Sequence, residues 1–332
     1  MANNNTDYQY TKNRISFVMR TLCILLTLIV VLLSCKRQKK NLDRKEKSID
    51  LSRSVTQPGV VHVKSIGMDF IVKDTLNSGW NTFKYTNEST EVHFILMDLY
   101  PEGKNARNTK NEVLPPFEEG MKLIMNNDME SAVTAFGKLP AWFQEIKYMG
   151  GTGLISPNKT AISTIYLEPG LYIMECYVKM ADGTWHTSHG MYKEIIVTGP
   201  NTDLAPPIET VAIEISSKAG ILVADNIPKG KQVFKVTFRD QSTHEHFLGH
   251  DVNLVKYDTT ASLDSLVHWM NWMNPRGLRT PAPKGFTFLG GMNNLPSGKH
   301  GYFDADLSPG NYVLISEVPH ANEKKYDVQI HN

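Results

Sequence analysis

The chain has 332 residues, 41% of them hydrophobic, with 35 Lys and Arg against 34 Asp and Glu, a formal charge of +1. So even a balance lacks the basic footprint of a nucleic-acid-binding protein, and no nucleic-acid partner is expected. Three cysteines are too few for a disulfide-stapled scaffold, and the length suffices for more than one ordinary domain.

Residues 1–20 are polar and carry Lys12, Arg14 and Arg20; an apolar run from Leu22 to Leu33 follows, broken only by Thr27, and ends at Ser34-Cys35. A charged start, a short apolar core and a small residue before a cut describe a secretory signal. The run is short of the roughly 20 apolar residues a membrane span needs, which sets cleavage against the alternative of an uncleaved anchor. Leu32-Leu33-Ser34-Cys35 resembles the lipobox of bacterial lipoproteins, which implies cleavage before Cys35 and lipid attachment there. The expectation is therefore a signal peptide over 1–34 and a lipid-anchored protein of the cell envelope, facing the periplasm or the cell surface. Losing Lys12, Arg14, Arg20 and Asp7 leaves 32 basic and 33 acidic residues. Residues 35–57, opening with Lys36-Arg37-Gln38-Lys39-Lys40, are too polar to pack a core and read as a tether.

From residue 58 onward, short runs of β-branched and aromatic residues recur between turn signals, the pattern of an all-β protein. In the first half they lie at 81–85, 92–99, 161–167, 172–178 and 195–198. Between them, 117–136 places Met121, Leu123, Ile124, Met125, Met129, Val133 and Phe136 among acids and amides, predicting a helical insertion. A cluster of Gly, Pro, Asn and Asp at 199–207 marks a boundary. The second half offers strands at 233–238, 252–257, 301–307 and 312–318. Its helical insertion at 261–273 has Leu263, Leu266, Val267, Met270 and Met273 at helical spacing, with Trp269 and Trp272 beside them. Such Met and aromatic positions are read as core packing.

The halves repeat each other. Gly150-Gly151 and the later Leu167-Glu168-Pro169-Gly170-Leu171-Tyr172 recur as Gly290-Gly291 and Leu307-Ser308-Pro309-Gly310-Asn311-Tyr312, both 140 residues on. Upstream, Asn81-Thr82-Phe83-Lys84 matches Gln232-Val233-Phe234-Lys235 at an offset of 151. Two β-sandwich domains are expected, 58–199 and 208–332, each with a short helical insertion.

Once the signal is removed, Cys176 is the one free thiol, and outside the cytoplasm it lacks a disulfide partner. His186, His189 and Met191 follow it closely. Residues 60–198 resemble a cupredoxin domain. Leu167–Cys176, followed by His186, Gly190-Met191 and Ile195-Ile196-Val197, resembles the last two strands of that fold, and Val92-His93-Phe94 its first histidine strand. The resemblance implies a type 1 copper site of His93, Cys176, His186 and Met191, with His189 the competing second imidazole. A thiolate, two imidazoles and a distant thioether are the blue-copper ligand set, which implies electron transfer with a redox partner protein. The alternative is a copper-free binding or scaffold module around a buried cysteine.

In copper nitrite reductases, a second, catalytic copper uses a histidine just before the cysteine and another five residues after the first histidine. Here those places hold Glu175 and Asp98, which suit copper poorly. A multicopper oxidase would need several His-x-His pairs, and the chain has one, His244-Glu245-His246. No phosphate loop, nucleophile elbow or convincing catalytic triad is present, so an enzymatic reading would need a pocket at the junction of the halves, near the tryptophans. In the second half Ser316 stands where Cys176 stands in the first. His244, His246 and His250 form a local cluster, read as a surface turn or a separate metal site.

Overall fold

The computed structural model describes residues 59–224, 226–242, 248–319 and 328–331. The expected signal, Cys35, the tether and the pair His244 and His246 lie outside the described residues.

Residues 57–332 form one compact unit. Its first half contains β1 (Val60–Ile66), β2 (Asp69–Ile71), β3 (Thr75–Asn77), β4 (Gly79–Asn87), β5 (Leu96–Leu99), β6 (Lys147–Tyr148), β7 (Thr160–Leu167), β8 (Gly170–Glu175) and β9 (Tyr192–Thr198). The second half contains β10 (Val211–Ser216), β11 (Gly220–Val223), β12 (Gly230–Asp240), β13 (Val252–Tyr257), β14 (Phe286–Met292), β15 (His300–Leu307), β16 (Asn311–Ile315) and β17 (Val328–His331). Alternation is clearest in β4, whose Phe83 and Tyr85 are fully buried between exposed or half-exposed neighbours.

The strands make three sheets, ordered β11-β10-β12-β15-β7-β4-β1-β2, β3-β9-β8-β5-β6 and β14-β13-β16-β17. The first is shared: β15 pairs antiparallel with β7, Phe303 opposite Ser163, so the halves join edge to edge. The five-stranded and four-stranded sheets each close one half as a sandwich over a common apolar core. Joining the edges satisfies backbone groups that two separate domains would leave open. The structure thus adds to the expected pair of sandwiches a continuous sheet through both.

Matched landmarks support the duplication. Tyr172 donates its hydroxyl to the Glu168 carbonyl at 2.9 Å, and Tyr312 to the Ser308 carbonyl at 2.8 Å. Gly151 and Gly291 have φ of 148° and 147°, and a Cβ on either would stand 2.0 Å from a carbonyl oxygen, that of Ile95 or of Val252. Only glycine permits that approach.

The first insertion folds as α1 (Leu114–Met125) and α2 (Met129–Phe136), and the second contains α3 (Leu263–Met270). Prolines open α1, the left-handed Asn127 (φ 61°) separates the two helices, and Asp128 caps α2 through the Ser131 amide. Gly120 leaves room for the Phe136 ring, which lets the helices pack closely. The insertion covers the outer face of the five-stranded sheet, where Tyr100 and Ile173 meet Val113 and Trp142.

Two strands are shorter than their apolar runs suggest. The run 92–99 is strand only from Leu96, and 172–178 ends as strand at Glu175. The segments that leave the ladder, around His93 and from Cys176 onward, carry the candidate ligands.

Candidate metal centre

His93 sits just before β5, its amide and carbonyl paired with Ile155 at 3.2 and 2.7 Å. Cys176 immediately follows β8, and its amide bonds to the Met191 carbonyl at 3.2 Å. His186 closes a loop back on Met191, whose amide bonds to the His186 carbonyl at 3.0 Å. All four residues are fully buried.

The donor atoms converge. His93 Nδ1 and His186 Nδ1 are 3.1 Å apart, and each is 3.8 Å from Cys176 Sγ. Atoms so spaced share a centre roughly 2 Å from each, the length of metal–imidazole and metal–thiolate bonds as given for zinc. Among the described residues this is the one group of three or more His, Cys, Asp or Glu side chains arranged to hold a metal ion. His189 is not part of it; it is exposed, and its Nε2 bonds to Thr184 Oγ1 at 2.8 Å.

Burial governs the protonation of the metal-free cluster. It lowers His93 to about 4 and, with the neighbouring His93 imidazole adding to the effect, His186 to about 3. It pushes the Cys176 thiol up to about 12, against amides of Phe94 and Val178 that favour the thiolate. The imidazoles are therefore neutral donors at neutral pH, while the thiol must lose a proton to ligate a metal.

The alternation that points Cys176 inward points Glu175 outward, under the helical insertion. Leu96 pairs with Glu175 and Asp98 with Ile173, so Asp98 and Glu175 are diagonal neighbours on one face. Their carboxyls hydrogen-bond to each other, and burial raises both above the carboxylate range. They line a cavity of about 60 Å³ together with Phe117, Tyr177, Trp185 and Trp272. The oxygens expected to disfavour a second copper thus face each other.

The second half retains part of the cluster. Asn253 pairs with Ile315 as Leu96 pairs with Glu175, which puts His250 in the place of His93 and Ser316 in that of Cys176. Ser316 Oγ lies 3.3 Å from His250 Nδ1 and donates to Asp251 Oδ1 at 2.9 Å. Hydrogen bonds occupy the position where Cys176 stands in the first half. The place of Ser316 is the one expected from the repeat; that of His250 is not, because the sequence reading groups it with His244 and His246. The signal was present: His93 and Tyr100, like His250 and Tyr257, are seven residues apart.

The sandwich topology, with a histidine before β5 and a Cys–His–Met segment between β8 and β9, is that of a cupredoxin-like fold. No protein-family model matches the chain, and no curated protein matches it. Among solved structures, a dithionite-reduced auracyanin from Roseiflexus castenholzii aligns over 43% of this chain and 100% of its own, with 17% identity and a TM-score of 0.26. Auracyanin A of Chloroflexus aurantiacus, described as a "blue" copper protein, covers the same shares at 19% identity and a TM-score of 0.26. A copper-containing nitrite reductase from Thermus scotoductus aligns over 82% of this chain and 61% of its own, at 10% identity and a TM-score of 0.20.

Proposed function

We propose that this protein is a mononuclear copper electron-transfer protein, with His93, Cys176 and His186 as ligands and Met191 as the weak axial group. The observation that carries this reading is the convergence of two Nδ1 atoms and one Sγ in a fully buried site. The donor set suits copper: thiolate and imidazole together serve both Cu(I) and Cu(II), and bound copper would supply one-electron exchange.

The chain's own residues do the rest. The Cys176 amide, tied to the Met191 carbonyl, and the His186 carbonyl, tied to the Met191 amide, fix the loop so that the donors are held before metal arrives. Burial keeps both imidazoles neutral and excludes water from the thiol. The Lys179 side chain, fully buried with Nζ 5.0 Å above the Trp185 ring, packs the loop that carries His186.

The reading extends to location. The Leu32–Cys35 sequence supports a lipid anchor at Cys35, with the folded unit on a polar tether in the cell envelope and a redox protein as partner. Fractionation of a Cys35→Ala protein tests this part: release from the membrane or failure of processing is expected, and mature protein in the membrane fraction overturns it.

Copper titration with visible absorption tests the metal. One equivalent of Cu(II) should produce an intense thiolate-to-copper band that Cys176→Ser abolishes. A colourless protein at full copper loading would overturn the reading and leave a binding module.

A further inference from the structure

The cavity beside the metal cluster has the features of a ligand site. Its charged wall residues, Asp98 and Glu175, are both acids. Asp98 is 3% exposed, and its Oδ1 has no hydrogen-bond partner. Buried acceptors of this kind are satisfied in nearly all proteins, so an unpartnered carboxyl oxygen on a cavity wall marks a place for a donor. Seven of the thirteen other lining residues are aromatic, Phe117, Tyr177, Trp185 and Trp272 among them.

That combination selects among cations. A hard metal ion takes six or more oxygen ligands, and here two carboxyls stand among rings. An ammonium group instead donates to carboxyl oxygens, favours the ionised form of a buried acid beside it, and is attracted to aromatic faces. The volume, about 60 Å³, limits the ligand to a few heavy atoms.

We propose that this cavity is a binding site for a small primary ammonium ion, held by Asp98 and Glu175 and by the rings of Trp185 and Trp272 that line the cavity with them. The site does not depend on copper being bound. A ligand there would lie beside Glu175, the residue preceding Cys176, so its arrival would also be felt at the metal cluster.

The test is calorimetric titration of the metal-free full chain with methylammonium chloride, against sodium chloride at matched ionic strength. Saturable binding of one methylammonium per chain is expected, with quenching or enhancement of tryptophan fluorescence that sodium does not cause. Methanol, the uncharged molecule of similar size, should not bind, and Mg2+ should not compete. Asp98→Asn preserves side-chain volume but leaves one acid where the pair has two, and should weaken binding by about tenfold or more. No saturable heat with methylammonium, methanol binding as tightly, or Mg2+ displacing methylammonium would each overturn the proposal. So would unaltered affinity in a folded Asp98→Asn protein. If that variant does not fold, the selectivity of the unmutated protein among methylammonium, methanol and Mg2+ decides the question.

Discussion

Tyr177 donates its hydroxyl to Glu317, and the two residues directly follow Cys176 and Ser316, the equivalent positions of the two halves. The bond ties the end of β8 to the end of β16 across the junction, next to the metal cluster. Both groups are buried, and burial together with the nearby acid raises the Tyr177 hydroxyl well above its usual range. Tyr177→Phe removes the donor while keeping the ring against Phe94 and Trp272. A loss of about 1–3 kcal/mol is expected, the cost of withdrawing one partner from a buried carboxyl. Chemical denaturation of the two single variants and of Tyr177→Phe/Glu317→Gln, read as a double-mutant cycle, measures the coupling.

The ligand assignment predicts a pattern of spectra. His189→Ala should leave the copper band unchanged, because His189 is exposed and bonded to Thr184. His186→Ala should abolish or recast it. Met191→Leu should keep the colour and raise the reduction potential, as expected when a weak axial ligand is lost. Visible absorption and voltammetry read all three.

Protonation of the metal-free cluster gives a pH dependence with a definite sign. With the imidazoles held near 4 and 3 and the thiol near 12, only Cys176 carries a proton that a metal must displace at neutral pH. Metal binding should therefore release one proton, and apparent affinity should rise about tenfold per pH unit between about pH 6 and 9. Below the imidazole values the histidines compete as well, and the dependence steepens. Indicator-dye titration measures the released proton; none released would mean a thiolate already formed.

Copper stoichiometry tests the second half. His250 remains, but Ser316 donates to Asp251 where a thiolate would be needed. One tightly bound copper per chain is expected by metal analysis. Ser316→Ala should leave that number unchanged while costing about 1 kcal/mol of stability, the usual net worth of a buried hydrogen bond.

The paired glycines make a prediction about folding. Gly151→Ala and Gly291→Ala would each drive a Cβ to within 2.0 Å of a carbonyl oxygen at φ near 148°. Each should destabilise the protein by about 3 kcal/mol or more, visible as a fall in Tm.

The sequence by itself determined what local pattern encodes. Alternating β-branched and aromatic residues announced the strands, helical spacing announced both insertions, and the paired Gly-Gly and Pro-Gly landmarks announced the duplication. The Cys176–Met191 segment, by its resemblance to cupredoxins, also indicated three of the four candidate ligands. Tertiary structure decided what depends on contacts distant in the chain. The resemblance already favoured His186 over His189, but its approach to His93, Nδ1 to Nδ1 at 3.1 Å, depends on the Met191 backbone bonds that fold the loop inward. The edge pairing of β15 with β7 joins residues about 140 apart, and unpaired strand edges carry no sequence mark of their partner. His250 took its place opposite Ser316 only through the register of β13 with β16. Asp98 and Glu175, 77 positions apart and singled out in the sequence only as oxygens where a second copper would need imidazoles, became a pair, Asp98 buried and Glu175 half-buried, because neighbouring strands put them on one face and the helical insertion covered it.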